Sequence, residues 1–166
     1  RQRDMTLIRH FTKPQNVQSI LTCGIINRER SNSWKRRFKL VADYYGTAPH
    51  MSTELLTIKR YEKIISDAVG DYVWLTEERF ANTAQASCKR DSDLYFEFDS
   101  EEIGAQKWHY FKKKFTNELQ RKIVRAIDKS AKQMGDNPYC YWICETTLPI
   151  ALAKPTGIML PNREAA

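Results

Sequence analysis

Apolar positions along this chain recur at two spacings, about two residues in some segments and three to four in others. The run Met5-Thr-Leu-Ile-Arg-His-Phe-Thr12 is apolar and β-branched and predicts a strand, ended by Lys13-Pro14. Pro14 suits the first turn of a helix, where its missing N–H goes unneeded. Val17, Ile20 and Leu21 then sit at helical spacing, and Gly24 supplies the left-handed residue that closes a helix over about 14–23. Ile25-Ile26 predicts a small strand. Residues 27–50 are polar and basic, with Trp34, Phe38, Tyr44 and Tyr45 interleaved, and the pattern assigns them no element.

From Ser52 to Val69 the apolar residues Leu55, Leu56, Ile58, Tyr61, Ile64, Ile65 and Ala68 mark a helix, stopped by Gly70. Asp71–Thr76 and Leu94–Phe98 read as strands, the second by clean alternation. Asp99 or Ser100 would cap a long helix, open to early interruption at Gly104, whose stripe, Trp108, Phe111, Phe115, Leu119, Ile123 and Ile127, runs to about Met134. Gly135-Asp-Asn-Pro138 is a turn and Tyr139–Thr147 a strong strand. Pro149 weakens any strand beyond it, and Thr156–Leu160 adds a short final one. Strands separated by helices of unequal length make an α+β chain. Its 166 residues, with no repeat or composition break, fit one domain over 1–166.

Charge adds a partner to this picture. Lysine and arginine total 27 against 20 acidic residues, and the excess is concentrated. Residues 107–132 carry nine cations against Glu118 and Asp128, and residues 28–39 carry six against Glu29. Two basic blocks on a mildly acidic body suit a polyanion, DNA or RNA, or an acidic protein. Arg36, Arg37, Lys112, Lys113 and Lys114 are the candidate nucleic-acid contacts, with Trp34 and Phe38 placed to stack a base. Cys23, Cys88, Cys140 and Cys144 show no metal-ligand spacing, so no zinc or other metal is expected, and buried free thiols in a cytoplasmic protein are the simplest reading. No apolar window is long enough for a membrane span, and the first residues lack a signal peptide's apolar stretch.

Three segments carry the candidate chemistry. One is Ile8-Arg9-His10-Phe11-Thr12 followed by Asn16-Val17-x-x-Ile20-Leu21-x-x-Gly24-Ile25-Ile26; the others are Val73-Trp74-Leu75-Thr76 and Tyr141-Trp142-Ile143-Cys144-Glu145. Over residues 5–27 and 71–76 the chain resembles the ADP-ribosyltransferase superfamily, nearest to its bacterial toxin-type and RNA-phosphotransferase-type branches. That resemblance implies a split, bent, mixed or antiparallel sheet with flanking helices and NAD, a substrate, bound in a cleft. It implies that His10 hydrogen-bonds a ribose hydroxyl, with Phe11 and Thr12 beside it, and that a late-strand glutamate contacts the nicotinamide ribose. Glu145 takes that role by strand order, with Glu97 as its rival. Trp74 and Thr76 fall in the strand that follows the family pattern, and Tyr44, Tyr45 and Tyr72 are candidates to stack on nicotinamide.

Breaking the bond between nicotinamide and ribose builds positive charge on the sugar, as in glycoside hydrolysis, and a fixed carboxylate stabilises it. The arginine-modifying signature, an acid or amide two residues before the glutamate, is absent, since Ile143 stands there. The expectation is NAD-dependent ADP-ribose transfer to a macromolecule, nucleic acid included. The setting it suggests is a monomeric toxin or effector in the cytoplasm, its own or a target cell's, with an inhibitory or delivery partner. The alternatives are a non-catalytic basic domain binding nucleic acid or an acidic protein, and an NAD glycohydrolase or RNA 2′-phosphotransferase on the same fold.

Overall fold

The computed structural model describes residues 6–28, 63–77, 94–133 and 135–155. Strand β1 spans Leu7–Phe11, and Lys13-Pro14 turns the chain into helix α1, Pro14–Cys23. Gly24, at φ 74°, closes α1 by donating its N–H to the Ile20 carbonyl at 2.8 Å, and β2 (Ile25–Ile26) follows. Helix α2 is described over 63–69, with Ile65 and Val69 buried; its expected beginning at Ser52 lies outside the described residues.

Gly70 then adopts φ 95°, and a Cβ at this position would lie 3.1 Å from the Tyr72 hydroxyl oxygen. Both effects oppose any side chain. Gly70→Ala is expected to cost about 1–2 kcal/mol, read as a lower urea midpoint at unchanged slope. An unchanged midpoint would show that this turn relaxes freely.

The remaining strands are β3 (Val73–Glu77), β4 (Tyr95–Asp99), β5 (Gln106–Lys107) and β6 (Tyr141–Cys144). With β1 they form a five-stranded antiparallel sheet in the order β4-β1-β3-β6-β5. A seventh strand, β7 (Leu148–Pro149), pairs with β2 as a separate two-stranded ribbon. Pro149 lacks an N–H, and a two-residue edge ribbon tolerates that. The architecture is α+β, as the periodicity implies.

The long helix expected from about 101 to 134 does not form. The Asp99 carboxylate accepts the Glu101 N–H at 2.9 Å, yet it caps only a turn, which ends at Gly104 with φ 65°. After β5 come a short helix, α3 (Trp108–Phe111), a 3-10 turn (Lys112–Lys114) and an extended Phe115. Helix α4, Glu118–Gln133, starts where Asn117 accepts the Gln120 N–H at 2.8 Å. The reason is tertiary. The Trp108 indole N–H donates to Asp128 at 2.8 Å, whereas one continuous helix would hold those residues about 30 Å apart. Folding α3 back onto α4 buries Trp108 completely, and the predicted stripe survives as one cluster carried by two helices.

Likewise the strand expected over Tyr139–Thr147 shortens. Asn137 caps a 3-10 turn (Pro138–Cys140) by accepting the Tyr139 N–H at 3.0 Å, and a bend at Glu145-Thr146 ends β6. The expected strand Thr156–Leu160 lies outside the described residues.

The sheet separates two apolar layers. Ile8, Val73, Leu75, Phe96, Phe98, Trp142 and Cys144 face α1 and the ribbon. Trp74, Tyr141 and Ile143 face α2, α3 and α4. Of the described cysteines, Cys140 and Cys144 are buried as expected, but Cys23 is exposed at the end of α1. Burial also pushes the Cys140 thiol up. A thiol reagent on the native protein should therefore label Cys23 within minutes and Cys140 and Cys144 only after unfolding, as read by peptide mapping. Fast native labelling of Cys140 would contradict this packing.

Candidate functional site

Glu145 stands where the buried strand β6 reaches the surface. It lines a cleft of about 420 Å³, in the size range of small-molecule sites. Arg28, Ser66, Asp71, Tyr72, Lys114 and Gln120 are also in its wall. The neighbouring elements explain how these groups meet. Gln120 of α4 donates its side-chain N–H to the Ala68 carbonyl of α2 at 2.8 Å, tying two walls together. Ser66 donates to Asp71 at 2.8 Å across the Gly70 turn. Tyr72 donates its hydroxyl to the Val69 carbonyl and packs edge-on against Phe111, so its ring is part of a rigid floor.

Around Glu145 itself, Gln106 of β5 donates to one carboxylate oxygen at 3.1 Å and the Lys114 ammonium lies 3.9 Å from the other. The Lys114 ammonium also sits 3.8 Å from the Phe111 ring centroid. Arg28 reaches the Glu145 carbonyl oxygen at 3.5 Å. Both members of the Lys114–Glu145 pair are about half exposed, so the pair contributes at most about 1 kcal/mol and yields readily to a ligand. Chemically the cleft offers a carboxylate for a developing cation and two cations for phosphate oxygens.

His10 is not part of this arrangement. Its Nδ1 donates to the Trp74 carbonyl at 2.8 Å, beside the point where the β1–β3 ladder, registered over two residue pairs, gives out. His10 pairs with Phe96 on the face covered by α1, whereas Glu145 meets Gln106, which pairs with Ile143 on the opposite face. Extending its row through Leu75 reaches Trp142, three residues before Glu145 and two strands away, a separation of roughly 14 Å. The expected meeting of His10 and Glu145 on one ribose is therefore corrected. A one-residue difference in register parity sends the two side chains to different sides of the sheet.

Phe11, Thr12, Trp74 and Thr76, expected to contact NAD, do not line that cleft. Phe11 is buried against Tyr95, and Thr12 is buried with its N–H on the Leu94 carbonyl. Trp74 packs among Tyr72, Trp108 and Tyr141, and Thr76 donates its hydroxyl to Cys140 Sγ at 3.2 Å. Glu97, the rival acid, is paired with Arg9 at 2.9 Å between β4 and β1. Tyr45, Arg36 and Arg37, with Trp34, Phe38 and Tyr44, lie outside the described residues. The three adjacent lysines have different fates. Lys112 is bound to Asp128 at 2.5 Å, Lys113 is exposed, and Lys114 is at the cleft.

Arg28, Gln106 and Gln120 were missed as cleft residues, because nothing local marks a polar side chain as facing a distant strand end. Glu77 was missed too; it is buried and accepts the Trp142 indole N–H at 3.0 Å, on the His10 face of the sheet. Among the described residues no group of His, Cys, Asp and Glu could hold a metal ion, and no helix is long and apolar enough to cross a membrane. No protein-family model, curated protein or solved structure matches this chain.

Proposed function

We propose that this chain is an ADP-ribosyltransferase-like domain that consumes NAD in the Glu145 cleft and passes ADP-ribose to a macromolecular acceptor in the cytoplasm, nucleic acid among the candidates. The observation that carries the reading is the placement of Glu145: an exposed carboxylate at the end of a buried strand, between Arg28 and Lys114, in a cleft of small-molecule size. The likeness of residues 5–27 and 71–76 to the superfamily supports it from the sequence side. NAD carries phosphates for the two cations and a ribose for the acid, so the donor set fits.

In the reaction the bond from ribose C1′ to the nicotinamide nitrogen breaks, its electron pair leaving with nicotinamide. The acceptor's nucleophile bonds C1′ and loses its proton to solvent. Glu145 stabilises the positive charge that grows on the sugar, Gln106 orients its carboxylate, and Arg28 and Lys114 hold the phosphates.

Incubation with adenylate-labelled NAD and either nucleic acid or cell lysate tests the reading. Label transfer with stoichiometric nicotinamide release is expected. Nicotinamide without transfer would identify a glycohydrolase instead. The separation of His10 from Glu145 favours a second reading, a basic domain that binds without chemistry. A thermal shift with nucleic acid or an acidic polypeptide, and none with NAD, would select it.

A further inference from the structure

Tyr110 and Tyr139 are the large hydrophobic side chains left open to solvent among the described residues, each 61% exposed. They come from different elements, α3 and the 3-10 turn before β6, and meet across His109. The His109 ring lies 4.3 Å from Tyr139 and 5.2 Å from Tyr110. Desolvation, then Lys112 and Lys113, hold His109 below the ordinary imidazole value. Among the described residues its buried Nδ1 has no hydrogen-bond partner. The result is a three-ring cluster whose two tyrosines are mostly exposed to water, an arrangement that apolar burial alone does not favour.

Cations frame these rings. Lys113 and Lys107 place their ammonium groups 5.2 and 5.9 Å from the Tyr110 ring centroid. Asp128 of α4 takes both the Trp108 indole and Lys112, which fixes α3 against one stripe of α4. Arg121, Arg125 and Lys132 share that stripe by helical spacing, and Lys129 adjoins it. All four are exposed, and among the described residues none makes an ion pair; the acids of α4 are committed to Lys122 and Lys112.

We propose that this surface docks single-stranded nucleic acid, with bases stacked on Tyr110 and Tyr139 and phosphates along Lys107, Lys113 and the basic stripe of α4. Exposed aromatic rings interleaved with uncompensated cations are the two elements such binding needs. A duplex keeps its base faces stacked inside and leaves the tyrosines uncovered. An acidic polypeptide neutralises the lysines but has no flat rings to lay on them. Lys113 and Lys114, adjacent in the chain, belong to this surface and to the cleft respectively. The inference nevertheless rests on the surface alone and not on turnover at Glu145.

Fluorescence anisotropy of the full chain with a labelled mixed-sequence strand of about 20 nucleotides, longer than the ~4–16-nucleotide sites of stacking domains, tests it. The same sequence as duplex and poly-glutamate serve as comparators. The single strand should bind roughly tenfold or more tighter than the duplex. Tyr110→Ala and Tyr139→Ala should each weaken it about tenfold, Tyr139→Phe should retain binding, and all three should melt like the parent. Lys113→Ala should reduce the slope of log affinity on log salt by about 0.7. Equal affinity for strand and duplex, or tyrosine variants that bind as the parent does, would overturn the proposal and leave a non-specific cationic face. Poly-glutamate binding tighter than the strand would reassign the surface to an acidic protein. Glu145→Gln should bind the strand unchanged, which separates failure here from failure of the NAD reading.

Discussion

Glu97→Ala is expected to destabilise the protein by about 3–5 kcal/mol, because it removes the carboxylate from a largely buried ion pair. Arg9 and Glu97 face each other across β1 and β4, with side chains only 14% and 8% exposed, and Arg9 also covers the Tyr95 ring at 4.1 Å. For a chain of this size a loss of that magnitude lowers the melting temperature by roughly 10 °C. Arg9→Met alone should cost a comparable amount, while Arg9→Met combined with Glu97→Leu should recover most of it, since an apolar pair of similar volume leaves no orphaned charge. Scanning calorimetry on the three variants checks this, and a Glu97→Ala protein melting with the parent would mean the pair is hydrated in solution. The stable double variant also answers a functional question. Glu97 is occupied by Arg9, so NAD turnover should survive its replacement once the fold is restored.

Glu145→Gln should have the opposite signature: stability within about 0.5 kcal/mol of the parent and nicotinamide release down roughly 10²–10³-fold. Its partners make the difference. The Lys114 pair is exposed and weak, and glutamine keeps a carbonyl to accept from Gln106, so little folding energy is at stake. On the proposed reading, the negative charge that stabilises the sugar as the bond breaks is lost entirely. Steady-state kinetics with NAD should show the loss in kcat. Lys114→Ala should act mainly on KM, because a phosphate contact is made equally in ground and transition states. An unchanged kcat in Glu145→Gln removes Glu145 from the chemistry and leaves the binding-only reading.

Much of the fold was legible from neighbours in sequence. Pro14 and Gly24 set the ends of α1, and alternation marked Leu94–Phe98 as a strand, found at Tyr95–Asp99 with both faces buried rather than one. The stripe from Trp108 to Ile127 correctly named core residues, yet its period fits one helix or two, and it misled on the element that carries them. A local signal was available in Asn117, whose carbonyl oxygen caps α4. The candidate site was legible only in part. Glu145 was singled out because a carboxylate following an apolar strand is unusual; the structure places it half-exposed in a cleft, without His10. His10 matched a sequence pattern, and its Nδ1 donates to the Trp74 carbonyl on the face of the sheet away from Glu145.

By itself, then, the amino-acid sequence determined the mixed α+β class, most strand positions, the caps of α1 and the clustering of positive charge, since each depends on backbone preferences and spacing within a few residues. Tertiary structure alone decided which face each strand residue occupies, that Lys112, Lys113 and Lys114 part company, and that Arg28 and Gln106 stand beside Glu145. Those outcomes depend on strand register and on contacts such as Trp108 with Asp128, between residues far apart in the chain, where a shift of one position reverses the result.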